Sequence, residues 1–423
     1  MATNTTKKIW VYADWLGLDH TMTLGILTSQ RLRGKEIFFF EYDQNWLKTN
    51  SSLLLDPNLG LFQGKQYLPE DKSNFGMFLD SSPDRWGRLL MRRREAAMAK
   101  MEGREEKVLL ETDYLLGVFD GSRLGGLRFK IDPAADYLNN QKDMASPPFT
   151  SLRELEYASL QLEGDNAINE PEYLKWLSIL VDPGSSLGGA RPKASVIDKQ
   201  GNLWMAKFPS TKDSKDIGAW EMVVQLLSKQ AGIEVPEANI KKFSGNYHTY
   251  LSKRFDRDQT GKRIHFASAM TLLGYNDGND FNDGISYLEI AGFIMQTSAA
   301  ATQDLEQLWR RIVFSILVSN TDDHLRNHGF IMTNNGWRLS PAYDINLNET
   351  GYGLKLNINE NNNELDLSLA MEVAKYFKLT TPRATQIQQE LITIVSSWRK
   401  VAQKFGLSNN EIEMVSNAFR FAK

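Results

Sequence analysis

The chain has 423 residues, 42% hydrophobic and 24% charged, with a net charge of -3. That is the composition of a globular protein of two or three domains, with no overall basic excess for holding nucleic acid by phosphate neutralisation. It contains no cysteine, which excludes disulfides, thiolate metal sites and a Cys nucleophile. Along the chain, residues 9–12 and 37–42 are apolar and aromatic and read as strands, with Gly25 and Gly34 at turns. The apolar run that starts at Ile9 is broken by Asp14 and Asp19, which argues against a signal peptide. Residues 84–101 read as a helix carrying Arg85, Arg88, Arg92, Arg93 and Arg94. Such a charge run is a solvated face or a docking surface for an acidic partner. Residues 133–149 are rich in Pro, Asn, Asp and Ala and read as a linker. Residues 151–180 look helical, and Asp182 starts a turn.

Residues 194–254 read as strand, hairpin, strand, helix, strand, hairpin, strand. Beyond 285 the pattern turns helical, broken by a hairpin near residues 330–339. The apolar stretch 312–318 is expected to be a buried helix segment, far short of the ~20 residues of a spanning helix. The expectation is a cytoplasmic protein. A small sheet-rich lobe followed by a helical lobe is the order of a two-lobed kinase, although many α+β proteins share it.

Phosphoryl transfer needs a cradle for the triphosphate, a cation on the phosphates, Mg²⁺ ligands and a carboxylate that positions the attacking hydroxyl. Lys207 ends the run Leu203-Trp-Met-Ala-Lys207-Phe208, which is apolar on both faces of a strand. A buried, unpaired ammonium is costly, so Lys207 either serves a phosphate or snorkels out at the strand end. Glu221 lies in the apolar stripe of a helix starting near Ile217. It pairs with a cation, Lys207 being the natural one, or else sits exposed on the helix flank. Asn320-Thr-Asp322-Asp323-His324-Leu-Arg326-Asn327 follows an apolar helix and sets Asp322 and Asn327 in the register Asp-x-x-x-x-Asn, which in kinases supplies the base and a magnesium ligand. A hairpin then leads to Ser340-Pro-Ala-Tyr-Asp344, where a second metal-binding carboxylate is expected. Gly184-Ser185-Ser186-Leu-Gly188-Gly189-Ala-Arg191-Pro192-Lys193 could bring backbone N–H groups close to phosphate oxygens, though its glycines alone would fit an ordinary turn.

Five segments, in this order and spacing, resemble the HipA family of bacterial Ser/Thr protein kinases, toxins of toxin–antitoxin pairs. They are Ser186-Leu-Gly-Gly-Ala-Arg-Pro-Lys193, Met205-Ala-Lys207, Lys253-Arg-Phe-Asp-Arg257, Thr321-Asp-Asp-His-Leu-Arg-Asn327 and Ser340-Pro-Ala-Tyr-Asp344. Phe78-Leu-Asp-Ser-Ser-Pro-Asp-Arg-Trp-Gly87 resembles the family's N-terminal module. The resemblance implies an α+β, two-lobed protein-kinase-like fold with an additional N-terminal α/β subdomain and a mainly helical C-lobe. The domains would be residues 1–132, a linker 133–150, a kinase N-lobe 151–255 and a C-lobe 256–423. It implies ATP and Mg²⁺ as cofactors, with Asp322 catalytic and Asn327 and Asp344 on the metal. Ser186, Gly188, Gly189, Lys207, Glu221, Lys253, Phe255 and His324 would serve the nucleotide, the backbone at 253–255 reading adenine.

By the same resemblance Ser186 is the autophosphorylated serine, with Ser185 as the competing acceptor. The substrate would be a cytoplasmic protein, an aminoacyl-tRNA synthetase in known members, and the partner a HipB-like helix-turn-helix antitoxin. Neither direct DNA binding by this chain alone nor a membrane role is expected. Asp323 replaces a common glycine and Arg326 a common lysine, changes expected to alter substrate fit. Arg191-Pro192 replaces a Gln-Glu pair and bears on the phosphate loop. A phosphoinositide-kinase-like lipid or small-molecule kinase also fits Asp-x-His-x-x-Asn. An inactive pseudokinase would lack Lys207, Asp322, Asn327 or Asp344, and all four are present.

Overall fold

Alternation along residues 6–13 puts Ile9, Val11 and Ala13 on one face, and all three are fully buried. A computed structural model describes residues 6–32, 35–141, 145–164, 167–180 and 191–422. The chain divides into two compact units, one of Met1–Ala206 with Asp256–Ala267, the other of Lys207–Phe255 with Ser268–Lys423.

In the first unit, β1 (Thr6–Ala13), β2 (Met22–Leu32), β3 (Lys35–Tyr42), β4 (Gln66–Tyr67) and β5 (Leu127–Lys130) form a sheet of order β4-β3-β2-β1-β5. Phe40 and Phe129 of this sheet, and Phe75, each pack edge-on against Phe78 of the helix Gly76–Asp80. Gly25 is not at a turn. It lies inside β2 opposite Tyr42, beside the register shift between Val11 and Tyr12. A Cβ there would stand 2.2 Å from the Glu41 carbonyl, so glycine is required by close strand approach. Gly34 lies outside the described residues.

The helix Arg85–Glu102 is capped by Asp84, whose carboxylate accepts the Gly87 N–H at 2.9 Å, and stops at Gly103 in the left-handed region. Its arginines are not a uniform solvated face. Arg88 makes a bidentate pair with Glu111 at 2.6 and 2.7 Å, and Arg93 donates to the Leu162 carbonyl at 2.8 Å; Arg85 and Arg92 are exposed. The other oxygen of Asp84 accepts Lys193 Nζ at 2.8 Å, and Trp86 Nε1 donates to the Lys193 carbonyl at 3.1 Å. Lys193, expected to close the phosphate cradle, instead opens the strand β6 (Lys193–Ile197) with its charge buried on Asp84. Its neighbour β7 (Leu203–Lys207) is buried at every position. The stretch Asp256–Ala267 also belongs here. Asp256 accepts the Gly125 N–H at 2.9 Å, and His265 stacks on Trp15 at 4.5 Å.

In the second unit, the hairpin β8 (Ala238–Lys242) and β9 (His248–Lys253) packs on the helix Ile217–Gln230. Asp216 caps that helix through the Ala219 N–H and also accepts His248 Nδ1 at 2.5 Å. The helices Tyr287–Thr297 and Ala301–Leu317 follow. The expected apolar segment 312–318 is buried in and just beyond the second of these. The strands Gly329–Thr333 and Gly336–Leu339 form the expected hairpin, and helices such as Thr381–Ser396 fill the C-terminal part.

Candidate active site

Lys207 is the last residue of β7 and its ammonium is almost entirely buried. Two carboxylates meet it. Glu221, on the second turn of Ile217–Gln230, hydrogen-bonds it, and Asp344 Oδ1 accepts from it at 2.7 Å. Burial works to lower the Lys207 pKa, but Asp344 and Glu221 more than offset it and hold the ammonium above its ordinary value. Glu221 is buried rather than exposed on a helix flank.

Asp344 sits at φ 57°, a left-handed conformation that aspartate tolerates better than most residues. Such a backbone costs energy and concentrates at functional sites. Asn346 Nδ2 donates to Asp344 Oδ1 at 3.0 Å, so the carboxylate is fixed from two sides. One residue earlier, the Tyr343 hydroxyl donates to the Arg326 carbonyl at 2.7 Å, tying this segment to the loop that follows Ala301–Leu317.

In that loop Asp322 is exposed and Asn327 is buried. Asn327 Nδ2 donates to the Asp322 carbonyl at 3.0 Å, while Asn327 Oδ1 is buried with no hydrogen-bond partner. His324 Nδ1 is likewise buried and unpartnered. Asp323, expected to affect substrate fit, turns inward instead. It accepts the Tyr287 hydroxyl at 2.6 Å and lies 3.1 Å from His328 Nε2. Burial alone would raise its pKa, yet His328 and Tyr287 outweigh burial and hold the carboxyl below its usual value. Arg326 lies 3.7 Å from Asp277.

The second unit thus brings Lys207, Glu221 and Asp344 into direct contact, and Asp322 and Asn327 into a second cluster. Lys253 and Phe255 are in the same unit. The Lys253 N–H donates to the Glu237 carbonyl at 2.8 Å, and the Phe255 ring lies 5.7 Å from that of Tyr343. Ser186, Gly188 and Gly189, with Ser185, lie outside the described residues. Sequence reasoning missed Tyr287, Ser315, Asn320 and Asn346. The one signal for Ser315 was a lone hydroxyl inside the apolar run 312–318.

Comparison with known proteins adds a family. The model of the HipA-like C-terminal domain matches residues 185–414. The chain is 30% identical over 180 residues to a Haemophilus influenzae protein named "Putative kinase", which is 38% of this chain and 52% of that one. It is 28% identical over 190 residues to the serine/threonine-protein kinase toxin HipA of Shewanella oneidensis, 38% of this chain and 43% of the relative. The chain spans about half the length of the curated relatives it matches. Among solved structures it is similar to a chain of the Shewanella oneidensis MR-1 toxin–antitoxin complex of HipA, HipB and operator DNA. The TM-score is 0.65 at 18% identity, covering 97% of this chain and 95% of that chain. The fold is therefore the α+β, kinase-like one that the element order suggested.

Proposed function

Since this chain belongs to the HipA-like C-terminal domain family, we propose that it is an ATP-dependent Ser/Thr protein kinase of HipA type and the toxin of a toxin–antitoxin pair. The observation that carries the reading is the buried Lys207 held between Glu221 and Asp344, in the unit that also holds Asp322 and Asn327. A cation fixed by a helix glutamate is what a kinase uses on the nucleotide phosphates.

The donor set suits magnesium. Asn327 Oδ1 is a buried oxygen lacking a partner and Asp344 supplies a carboxylate, and Mg²⁺ takes few protein oxygens and completes its shell with phosphates. When bound, the metal neutralises charge on the transferring phosphoryl group. Asn327 and Asp344 would hold it. Lys207 binds the phosphates, with Glu221 keeping the ammonium in place. Asp322, exposed at the surface of its loop, takes the proton of the attacking hydroxyl as its oxygen bonds to the terminal phosphorus and ADP leaves. His324 borders the nucleotide. Lys253 and Phe255 offer backbone to adenine. The Lys253 N–H is already engaged, so Lys253 contributes its carbonyl.

The acceptor is a serine or threonine of a cytoplasmic protein, with an aminoacyl-tRNA synthetase as the first candidate. Ser186 is the self-phosphorylated residue, and a HipB-like helix-turn-helix protein is the antitoxin. The test is phosphate transfer from labelled ATP with Mg²⁺ by the purified chain and its Asp322→Asn variant, followed by phosphoproteomics after brief induction of each. Transfer by the wild type alone is the expected result. No transfer by either, or equal transfer by both, overturns the reading.

A further inference from the structure

Asp322 and Asp323 are neighbours with opposite environments. The first is exposed and the second only 5% exposed. The buried carboxylate gathers three elements of the second unit. Tyr287, first residue of the helix Tyr287–Thr297, donates to Asp323 Oδ2 at 2.6 Å. Ser315, near the end of Ala301–Leu317, donates to the same oxygen at 3.3 Å. His328, next to Asn327, places Nε2 3.1 Å from the other oxygen, Oδ1, and its ring meets the Tyr287 ring edge-on at 5.5 Å. Tyr287, Ser315 and His328 are all buried. A buried carboxylate is tolerated only with such partners, and once satisfied it fixes their geometry.

The network continues to the metal-binding carboxylate. Asn320 Nδ2 donates to Ser315 Oγ at 3.4 Å, and Asn320 Oδ1 accepts the Asn346 N–H at 3.2 Å. Asn346 Nδ2 then donates to Asp344 Oδ1 at 3.0 Å. One continuous chain of hydrogen bonds therefore joins the residue after the proposed base to the residue that contacts Lys207.

We propose that Asp323 is a positioning residue for phosphoryl transfer, an inference that rests on the kinase reading above. It clamps the loop between Tyr287, Ser315 and His328, so that Asp322 faces outward while Asn327 keeps a fixed place relative to Asp344. Its contribution is to geometry in the transition state and not to nucleotide affinity. Misplacement by an ångström at a reacting group can cost about 100-fold in rate.

The test uses the full chain with Tyr287→Phe, which removes one hydroxyl, and Asp323→Asn, which removes the charge. Ile387→Val, a buried change in the helix Thr381–Ser396, controls for lost stability. Phosphate transfer is measured at varied ATP alongside thermal unfolding. The expected result is a kcat lowered about 10- to 100-fold in Tyr287→Phe and Asp323→Asn, with KM for ATP held within about twofold. Ile387→Val keeps the wild-type kcat. If Asp323→Asn does not fold, Tyr287→Phe decides. An active wild type with unchanged kcat in the folded variants, their melting temperatures alone falling, overturns the positioning role. A wild type that transfers no phosphate overturns the kinase reading and takes this inference with it.

Discussion

Lys207 keeps its charge in a place where an ammonium by itself would lose it. Its two carboxylate partners hold the pKa above the ordinary lysine value, so it stays protonated throughout the neutral range. Lys207→Met keeps most of the volume but leaves the buried Glu221 and the half-buried Asp344 without their cation. Breaking a buried pair from one side costs about 3–5 kcal/mol. Urea denaturation is expected to show a loss of that order, together with loss of ATP use. Asp344 offers a sharper dissection, because its side chain and its backbone carry different demands. Both Asp344→Ala and Asp344→Asn are expected to abolish transfer, since neither leaves a carboxylate for the metal. Asparagine accepts the left-handed backbone and alanine does not, so the Asn variant should be the more stable by about 1 kcal/mol in the same denaturation assay. Lys207 and Glu221 were legible as a pair because a charged side chain inside an apolar pattern demands a partner. Asp344 was read only from its place after the hairpin, and its contact with Lys207 was not expected. The positive φ of Asp344 and the inward turn of Asp323 were not legible either. Adjacent aspartates look alike in a sequence, and only packing against Tyr287 and His328 separates their surroundings.

At the scale of elements, one contact bears on the candidate site in the second unit and another on the stability of the first unit. Gly218, in the first turn of Ile217–Gln230, allows the helix to lie against β9. A Cβ there would come within 2.1 Å of the His248 carbonyl. Backbone cannot yield as a flexible side chain would. Gly218→Ala is therefore expected to push the helix off the hairpin at about 1–3 kcal/mol and to move Glu221 one turn away, so thermal unfolding and KM for ATP should both respond. Strand, helix and hairpin order was readable here, but the close approach was not, as with Gly25, because it depends on which backbone lies opposite. The second contact is the stack of His265 on Trp15. Burial pushes that imidazole down to about 3 from an ordinary 6.5. Below 6.5 the unfolded chain takes up a proton that the folded chain refuses. Stability contributed at neutral pH is thus lost progressively as pH falls from 6.5 towards 3, at up to about 1.4 kcal/mol per pH unit. His265→Phe retains a ring on Trp15 and has nothing to titrate. Its unfolding free energy should differ from wild type by an amount that changes across this window and is constant above it. A parallel pair of pH profiles would count against the buried neutral state.

For the molecule as a whole, a net charge of -3 leaves little for counterion release. The purified chain alone is expected to bind duplex DNA weakly. Fluorescence titration at two salt concentrations checks this, tight and strongly salt-dependent binding being the contrary result. The fold class was legible from the succession of patterns, since helical and strand periods differ and the loop, hairpin and aspartate motif orders the second unit. The composition of the first unit was not, because nothing in residues 256–267 announces that Asp256 serves Gly125 or that His265 serves Trp15. That discontinuity has a consequence in time. A ribosome releases the chain from its N-terminus, and residues 207–255, which belong to the other unit, intervene before the last stretch of the first can emerge. At roughly 5–20 residues per second that interval is roughly 2–10 s. During it the nascent first unit has every strand of its five-stranded sheet, yet Trp15 lacks its stacking partner and the Gly125 N–H its acceptor. A chaperone or protease that acts on half-made chains would meet this protein in that window.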